Sequence, residues 1–379
     1  MIEEAIRTET PGLNSLKELV SSGKLELVYI VSPPRCLSTA MEIAVTETAD
    51  GQINEPFHSM RSASFDEGCQ LLVDRYRGLA GEMQDKATIR LVVKDLIRHT
   101  GASDWTRLLG LSKEVIFMVR EPSLQLYSLL KRRVNDRAEF NGDKLTEEQV
   151  IAGIPNVPLN RVIDDTWSRL GEVWERSQDC RPVVVSQLSF LQDPRGSLDR
   201  LSSYFKWSVP TERILSGWEK GAGQKFYIPE PKYHLDGRMV HSSAGAWLRE
   251  AFNSRGFQPL DPKDDKPRPI GIYPESIKRY FLEQMLPTYI EMMMCSQNLS
   301  RPDFAEIEKA NALYDINPIE SYVLLQSYVG LSSGAEEVRL SLDYGLKARI
   351  QKDYSELAQE LFELTKSKRA ELLLAGKAS

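Results

Sequence analysis

The sequence predicts an α/β protein, a three-layer fold built on a parallel sheet, and two observations lead to this class. Short apolar runs at residues 25–31, 88–93, 115–119 and 183–185 are separated by stretches long enough for a helix. Such nearly continuous runs are typical of strands buried on both faces of a parallel sheet. Polar turns that lead into helical patterns follow the first and third runs, so we expect P-loop-like phosphate-binding turns there.

A proline-rich segment divides the chain. Five prolines between residues 259 and 274 flank a charged DPKDDK run, which neither a helix nor a central strand accommodates. Beyond it, Ile277, Phe281 and Met285 recur at a helical spacing. The predicted organisation is an N-terminal helical lead-in over 1–24, the α/β domain over 25–257, a linker over 258–274 and a helical C-terminal extension over 275–379. The C-terminal helices are a candidate surface for homo-oligomerisation.

The composition narrows the classes of protein. A hydrophobic share of 41% and a charged share of 27% are those of a soluble globular protein. No apolar leader and no uninterrupted apolar run of about 18 residues is present, so we expect no membrane partner. The four cysteines form no CxxC pair, which favours a cytoplasmic location. A net charge of −6 argues against nucleic-acid binding but permits a local basic pocket for one anion.

The first candidate anion site is the turn in SPPRCLSTAMEIAV, residues 32–45. A helix N-terminus offers unpaired N–H groups and partial positive charge, to which Ser38 and Thr39 would add hydroxyls and Arg35 a permanent charge. The turn lacks the Gly-Lys pair of a Walker loop. Taken alone, it fits an ordinary N-cap by Ser38 or Thr39 equally well.

A second unit at residues 113–133 supplies the partner, because Arg120 ends its apolar run and Ser128 follows eight residues later. Together the two units resemble the sulfotransferase family, whose first loop reads Pro-[Lys/Arg]-Ser-Gly-Thr-Thr and whose second unit has this Arg and Ser. An Asp-Pro turn at 193–194 is similar to a later family element. The resemblance covers residues 25 to 250 and is closest to the divergent bacterial branch, whose Asn-Glu-Pro-Phe and Val-Lys-Asp motifs match 54–57 and 93–95.

The resemblance implies in-line transfer of a sulfuryl group from 3′-phosphoadenosine 5′-phosphosulfate to a hydroxyl or amine of a small-molecule acceptor, with no metal. It places Arg35 at the leaving oxygen and 5′-phosphate, and Arg120 with Ser128 at the 3′-phosphate. The rest of the first loop would hold the donor through Cys36, Leu37, Ser38 and Thr39. Since Cys36 and Leu37 replace the family's Ser-Gly, a left-handed backbone at Leu37 would be costly.

Three residues are candidates for the general base that removes the acceptor proton. Glu55 is preferred, because it follows the second strand where several sulfotransferases place a catalytic glutamate. Pro56 would hold Glu55 extended, and apolar neighbours such as Phe57 would have to raise its pKa. The alternative for Glu55 is a structural carboxylate. His99, after the third strand, is the rival base, and His58 is a weaker third.

Two other functions stay open from the sequence. One is a nucleotide-dependent phosphotransferase, which the missing Walker lysine disfavours. The other is a degenerate nucleotide-binding module whose helical tail binds a protein partner. Residues 138–161 and the region after Gly221 are expected to line the acceptor pocket.

Overall fold

The fold is an α/β arrangement around one parallel sheet. The computed structural model describes residues 10–120, 122–139, 146–157, 162–219, 226–230, 257, 273–285, 288–289 and 292. Within these residues the strands are β1 (Leu25–Ser32), β2 (Gly51–Asn54), β3 (Ile89–Leu96), β4 (Glu114–Val119) and β5 (Val183–Ser186). They pair in the order β2-β3-β1-β4-β5, and every pair is parallel. The α/β class and the parallel sheet are therefore confirmed, whereas the phosphate-binding turns and the helical C-terminal extension stay predictions.

Helices connect the strands and cover both faces of the sheet. The described α-helices are α1 (Pro11–Ser21), α2 (Ser38–Thr46), α3 (Phe65–Glu82), α4 (Ala102–Gly110), α5 (Pro122–Glu139), α6 (Glu147–Gly153), α7 (Thr166–Arg176), α8 (Gln187–Gln192), α9 (Pro194–Phe205), α10 (Thr211–Glu219) and α11 (Glu275–Tyr280). Short 3₁₀ turns lie at Ile97–His99, Ile154–Asn156 and Gln178–Cys180, and a π-helical turn at Phe281–Met285 follows α11. None of the described helices has the length and apolar character needed to cross a membrane.

Alternating strand residues supply the two halves of the core. Tyr29 and Phe117 pack with α1, α3, α4, α5 and α7, whereas Ile30 and Met118 pack with α2, α8, α9 and α10 on the opposite face. This alternation follows from the period of two along a strand. The chain moves along the sheet in one direction from β1 to β2 and in the other direction from β3 to β4 and from β4 to β5. Because each crossover is right-handed, α2 and α4 lie on opposite faces of the sheet. Strands buried on both faces explain the continuous apolar runs in the sequence.

The segments on either side of the predicted α/β domain pack onto its core. In α1, Leu13 and Leu16 are buried in the same cluster as Tyr29, and Asp66 of α3 accepts hydrogen bonds from the first amides of the helix. After the proline-rich stretch, Ile277, Phe281 and Met285 are also buried in this cluster. The helical spacing of these three residues therefore marks the side of the segment that packs into the core. The domain boundaries stay predictions, and most of the linker and extension lies outside the described residues.

Candidate functional site

The candidate site lies at the carboxyl edge of the sheet. Because all pairs are parallel, the segments that follow the strands meet at this one edge: the turn at 33–37 after β1, Glu55 after β2, the 3₁₀ turn with His99 after β3 and Arg120 after β4. From β1 the chain goes first to β2, on one side, and later to β4, on the other side. Open α/β sheets bind ligands at such a switch point.

The turn after β1 adopts a strained backbone. Arg35 has φ 70° and Leu37 has φ 65°, both in the left-handed region that costs a non-glycine residue roughly 1–2 kcal/mol. Leu37 is the N-cap of α2 and provides no side-chain capping bond, so the ordinary Ser38 or Thr39 N-cap is not observed. The left-handed conformation that the sequence marked as costly at Leu37 is therefore present. Burial of Cys36 and Ser38 on either side holds it in place.

Side chains from the second unit reach across to this turn. Arg35 Nε donates to Ser128 Oγ at 3.1 Å, and Gln125 Nε2 donates to the Pro34 carbonyl at 2.8 Å. Arg120 Nη1 lies 3.5 Å from the Arg35 carbonyl oxygen, at the outer limit of a hydrogen bond. The structure thus brings Arg35, Arg120 and Ser128 together, and their roles at a donor stay predictions. Gln125 was missed, although it lies on the same helical face as Ser128, three residues away.

Cys36 is a structural member of the turn. Its side chain has no exposed surface, and its Sγ lies 3.8 Å from the Pro34 carbonyl oxygen. Burial raises the pKa of this thiol to about 12, even though Arg120 and Arg35 act to lower it. Cys36 is therefore a neutral thiol at neutral pH and can contribute to an anion site only through its backbone.

Glu55 is held as an anion by two cations. Its carboxylate binds the Lys94 ammonium, and Arg61 Nη1 lies 3.9 Å from its Oε2. Burial raises the pKa of Glu55, but the charges of Lys94 and Arg61 and the hydrogen bond from Lys94 outweigh it, so this pKa lies well below the ordinary value. The expectation of a raised pKa was wrong, because the fold places Lys94 and Arg61 against this carboxylate. The extended backbone expected before Pro56 was also wrong, since Glu55 has φ 50°.

The strain at Glu55 is supported by a dense set of backbone contacts. The Glu55 amide donates to the Lys94 carbonyl at 2.7 Å, extending the β2–β3 pairing by one bond. Arg61 Nη1 donates to the carbonyls of Asn54 at 2.6 Å and Glu55 at 2.9 Å. Glu55 therefore acts in this structure as the centre of a rigid ion-pair cluster. Sequence reasoning missed Arg61, and it quoted Lys94 only as part of a motif.

His99 is oriented by a buried carboxylate. Its Nδ1 binds Asp95, which is fully buried and also accepts hydrogen bonds from the amides of Phe57 at 3.0 Å and Leu96 at 2.9 Å. The Asp95 carboxylate is a hydrogen-bond acceptor, so the nitrogen of His99 that faces it, Nδ1, carries the hydrogen. The lone pair of the neutral ring is then on Nε2. Nε2 is buried and has no hydrogen-bond partner among the described residues. This arrangement is that of a base held by an orienting acid.

His58 lies against His99 at the same edge. The two rings are edge-to-face with centroids 4.8 Å apart, and His58 Nδ1 accepts a hydrogen bond from the Met60 amide at 3.1 Å. Burial lowers the pKa of His58 to about 4, helped by His99 and Arg61 and opposed by Glu55. His58 is therefore a neutral ring at neutral pH.

Glu55, His58 and His99 also form a candidate metal cluster, since one ligand atom of each lies within 4.8 Å of the others. Their present contacts do not suit a metal. The Lys94 ammonium binds the Glu55 carboxylate, and Met60 N–H occupies His58 Nδ1, which leaves the neutral ring with its proton on Nε2. A metal ligand needs a free lone pair, so this cluster gives no support for a metal among the described residues.

Glu42 in α2 is a buried carboxyl group beneath the cluster. Its Oε2 accepts a hydrogen bond from Asn54 Nδ2 at 2.7 Å, and its Oε1 has no hydrogen-bond partner among the described residues. Burial raises the pKa of Glu42 to about 8, against the lowering effect of Lys94 and Asn54. Sequence reasoning missed this residue. The available signal was a single charged residue inside the apolar run AMEIAV.

The expected acceptor-lining segments are only partly described. Of residues 138–161, the structure describes 138–139 and 146–157. After Gly221, it describes 226–230 and only a few later residues. In this part the Tyr227 carbonyl accepts a hydrogen bond from the Asn54 amide at 3.1 Å, which places the segment beside the end of β2, next to Glu55. A small cleft lies beside the turn at 33–37 and is lined by residues that include Pro34, Gln125, Leu129, Trp167 and Tyr280.

Comparison with known proteins adds no assignment. A scan against protein-family models gives no match to this chain, and a search of curated proteins gives none either. The sulfotransferase resemblance therefore rests on the quoted motifs and stays a prediction.

Proposed function

We propose that the protein is a sulfotransferase that moves a sulfuryl group from 3′-phosphoadenosine 5′-phosphosulfate to a small-molecule acceptor. The observation that carries the proposal is the contact between Arg35 Nε and Ser128 Oγ at 3.1 Å. It joins two strand–turn–helix units on the adjacent strands β1 and β4, at the switch point of the sheet. Two anion-binding turns side by side suit a ligand with two separate phosphate groups.

On the donor side, the uncapped start of α2 would receive the 5′-phosphate, with Ser38 and Thr39 as hydroxyl donors. Arg35 would stabilise charge that develops on the leaving oxygen, and Arg120 with Ser128 would bind the 3′-phosphate. The Arg35 side chain is exposed and therefore accessible to a ligand. Positioning and fixed charge supply most of the catalysis in such in-line displacements.

On the acceptor side, the geometry favours His99 over Glu55 as the general base. Asp95 fixes the His99 tautomer and would stabilise the imidazolium that forms when Nε2 takes the acceptor proton. Glu55 is a weaker base, because Lys94 and Arg61 stabilise its anion. Its role in this proposal is to hold Lys94 and the β2 turn in place. His99 Nε2 has no exposed surface, so the neighbouring side chains must shift when an acceptor binds.

Thermal unfolding with nucleotides tests the proposal. We expect 3′,5′-diphosphoadenosine to raise Tm more than adenosine 5′-monophosphate does, and a ligand at 100 times its Kd stabilises by about 2.7 kcal/mol. Arg120→Ala should weaken 3′,5′-diphosphoadenosine by about ten- to a hundredfold, as expected for a charge-assisted contact, while binding of the monophosphate changes little.

Lys131→Ala is the matched control, because it removes one exposed positive charge from α5, the helix that follows Arg120. It should leave the preference for the 3′-phosphate intact. Equal weakening of both nucleotides by Arg120→Ala would contradict the assignment of Arg120. Protection by ATP with magnesium, but not by 3′,5′-diphosphoadenosine, would favour the phosphotransferase. Nucleotide protection without transfer of labelled sulfate to any phenol, alcohol or amine would favour the degenerate binding module.

A further inference from the structure

The hydrogen bond from Met60 sets which nitrogen of His58 carries the proton. The Met60 amide donates to Nδ1 at 3.1 Å, so Nδ1 presents its lone pair and the neutral ring has its hydrogen on Nε2. Burial lowers the pKa of His58 to about 4, which keeps the ring neutral at neutral pH. No described residue accepts a hydrogen bond from Nε2, and the side chain is half-buried. His58 therefore presents one unused N–H donor.

His99 has the opposite tautomer. Asp95 accepts a hydrogen bond from Nδ1–H of His99. The other ring nitrogen, Nε2, has no partner among the described residues and is a hydrogen-bond acceptor. A donor ring and an acceptor ring thus lie edge-to-face at a centroid distance of 4.8 Å. The other charged groups of the cluster are Glu55, Lys94 and Arg61, and these already bind one another.

The two rings lie close enough to approach one oxygen atom from two sides. Their centroids are 4.8 Å apart, and one ring nitrogen of each lies within 4.8 Å of a ring nitrogen of the other. Two hydrogen bonds of about 2.8 Å to one tetrahedral oxygen need their outer atoms about 4.6 Å apart, so the rings adjust until the two Nε2 atoms have that separation. Because His99 Nε2 has no exposed surface, the rings must part slightly to admit the oxygen.

We propose that His58 selects hydroxyl acceptors, by donating its Nε2–H to the same acceptor atom whose proton His99 removes. A hydroxyl oxygen has two lone pairs, so it can accept the bond from His58 and still attack sulfur with the other pair. An uncharged amine has a single lone pair, and the same donor would occupy the pair that must attack. The inference rests on the proposed function and deepens it from sulfuryl transfer to O-sulfation.

The acceptor oxygen forms a bond to sulfur while the bond between sulfur and the bridging phosphate oxygen breaks, and the phosphate oxygen keeps the electron pair. The acceptor O–H bond breaks, and its proton moves to His99 Nε2. His58 keeps its proton throughout and stabilises the negative charge that develops on the acceptor oxygen as the proton leaves.

Nuclear magnetic resonance of the ligand-free protein tests the tautomers without any assumption about activity. The chain has four histidines, and spectra of ¹⁵N-histidine-labelled protein distinguish Nε2–H from Nδ1–H rings. At pH 7 we expect an Nε2–H ring that disappears in His58→Gln and an Nδ1–H ring that disappears in His99→Asn. An Nδ1–H ring or an imidazolium at His58 would overturn the inference, whether or not the protein is a sulfotransferase.

Acceptor preference supplies the second test, with 4-methylphenol and 4-methylaniline as a matched pair and radiolabelled donor. We expect the wild-type protein to sulfate the phenol in preference. His58→Phe keeps an aromatic ring beside His99 and should slow transfer to the phenol roughly three- to tenfold, the factor for one neutral hydrogen bond, without slowing transfer to the amine. His58→Gln keeps an N–H donor and should retain most of the phenol activity.

Different results would contradict the role of His58 and the proposed sulfotransferase function. A wild-type preference for the amine, or equal slowing of both acceptors by His58→Phe, would overturn the role of His58 while leaving the sulfotransferase proposal standing. Absence of any protection by 3′,5′-diphosphoadenosine would instead overturn the proposed function.

Discussion

Replacing Glu42 by glutamine should make the protein more stable at alkaline pH. Glu42 has no exposed surface, and its pKa is raised by burial to about 8. In the unfolded chain the same carboxyl titrates near its ordinary value of ~4.3. Between these two values the folded state holds a proton that the unfolded state has released. The free energy of unfolding therefore falls as pH rises through this window.

The size of the effect follows from the pKa shift. The linkage lowers the free energy of unfolding by about 1.4 kcal/mol for each pH unit within the window. Over the whole window the loss is therefore several kcal/mol, a large fraction of the ~5–15 kcal/mol that stabilises a typical protein. Glutamine keeps an oxygen that can accept the 2.7 Å bond from Asn54 but does not titrate. We expect the free energy of unfolding of Glu42→Gln, relative to that of the wild type, to increase by at least ~2 kcal/mol from pH 5 to pH 8.

Urea unfolding of both proteins across this range measures the difference. Comparing the variant with the wild type cancels the titration of all other groups. Glu82→Gln removes an exposed carboxylate from α3 and is the control for the loss of one carboxyl group. If the difference between Glu42→Gln and the wild type were constant across this range to within ~0.5 kcal/mol, the assignment of Glu42 as a buried, protonated acid would be refuted.

The remaining predictions concern the reaction. Because Arg35 should act on the charge that develops at the leaving oxygen, Arg35→Ala should lower kcat by a larger factor than it raises the donor KM; a change in KM alone would make Arg35 a plain phosphate anchor. His99→Asn removes the proposed base and should lower turnover by about 10² to 10⁴ without preventing donor binding, whereas Glu55→Gln should lose much less. Steady-state kinetics of both variants shows which substitution lowers turnover more. Nucleotide binding is the control for correct folding. If Glu55→Gln were inactive and His99→Asn active, Glu55 would be the base.

Much of the scaffold could be predicted from the sequence because it depends on local pattern. The apolar runs identified the strands β1, β3, β4 and β5, since strands buried on both faces need apolar residues at every position. The family resemblance, and not the spacing alone, placed Arg120 and Ser128 with the first turn, and the parallel strands bring all their carboxyl ends to one edge in the structure. The strands could be predicted from periodicity, whereas the pairing of the two turns depended on the resemblance.

The chemistry of the individual side chains was decided by tertiary structure. Glu55 was expected to be a base in an apolar setting, but Lys94 and Arg61, 39 and 6 residues away, keep it ionised. Conversely, the buried Asp95 carboxylate binds His99 Nδ1, and this pairing requires the turn after β3 to fold back on the strand end. A pKa and a tautomer depend on the charges, donors and burial that surround a group in space, and one sequence does not state those distances. The sequence by itself therefore predicted the edge of the sheet at which these residues meet, and only the fold decided the charges and hydrogen bonds that surround each of them.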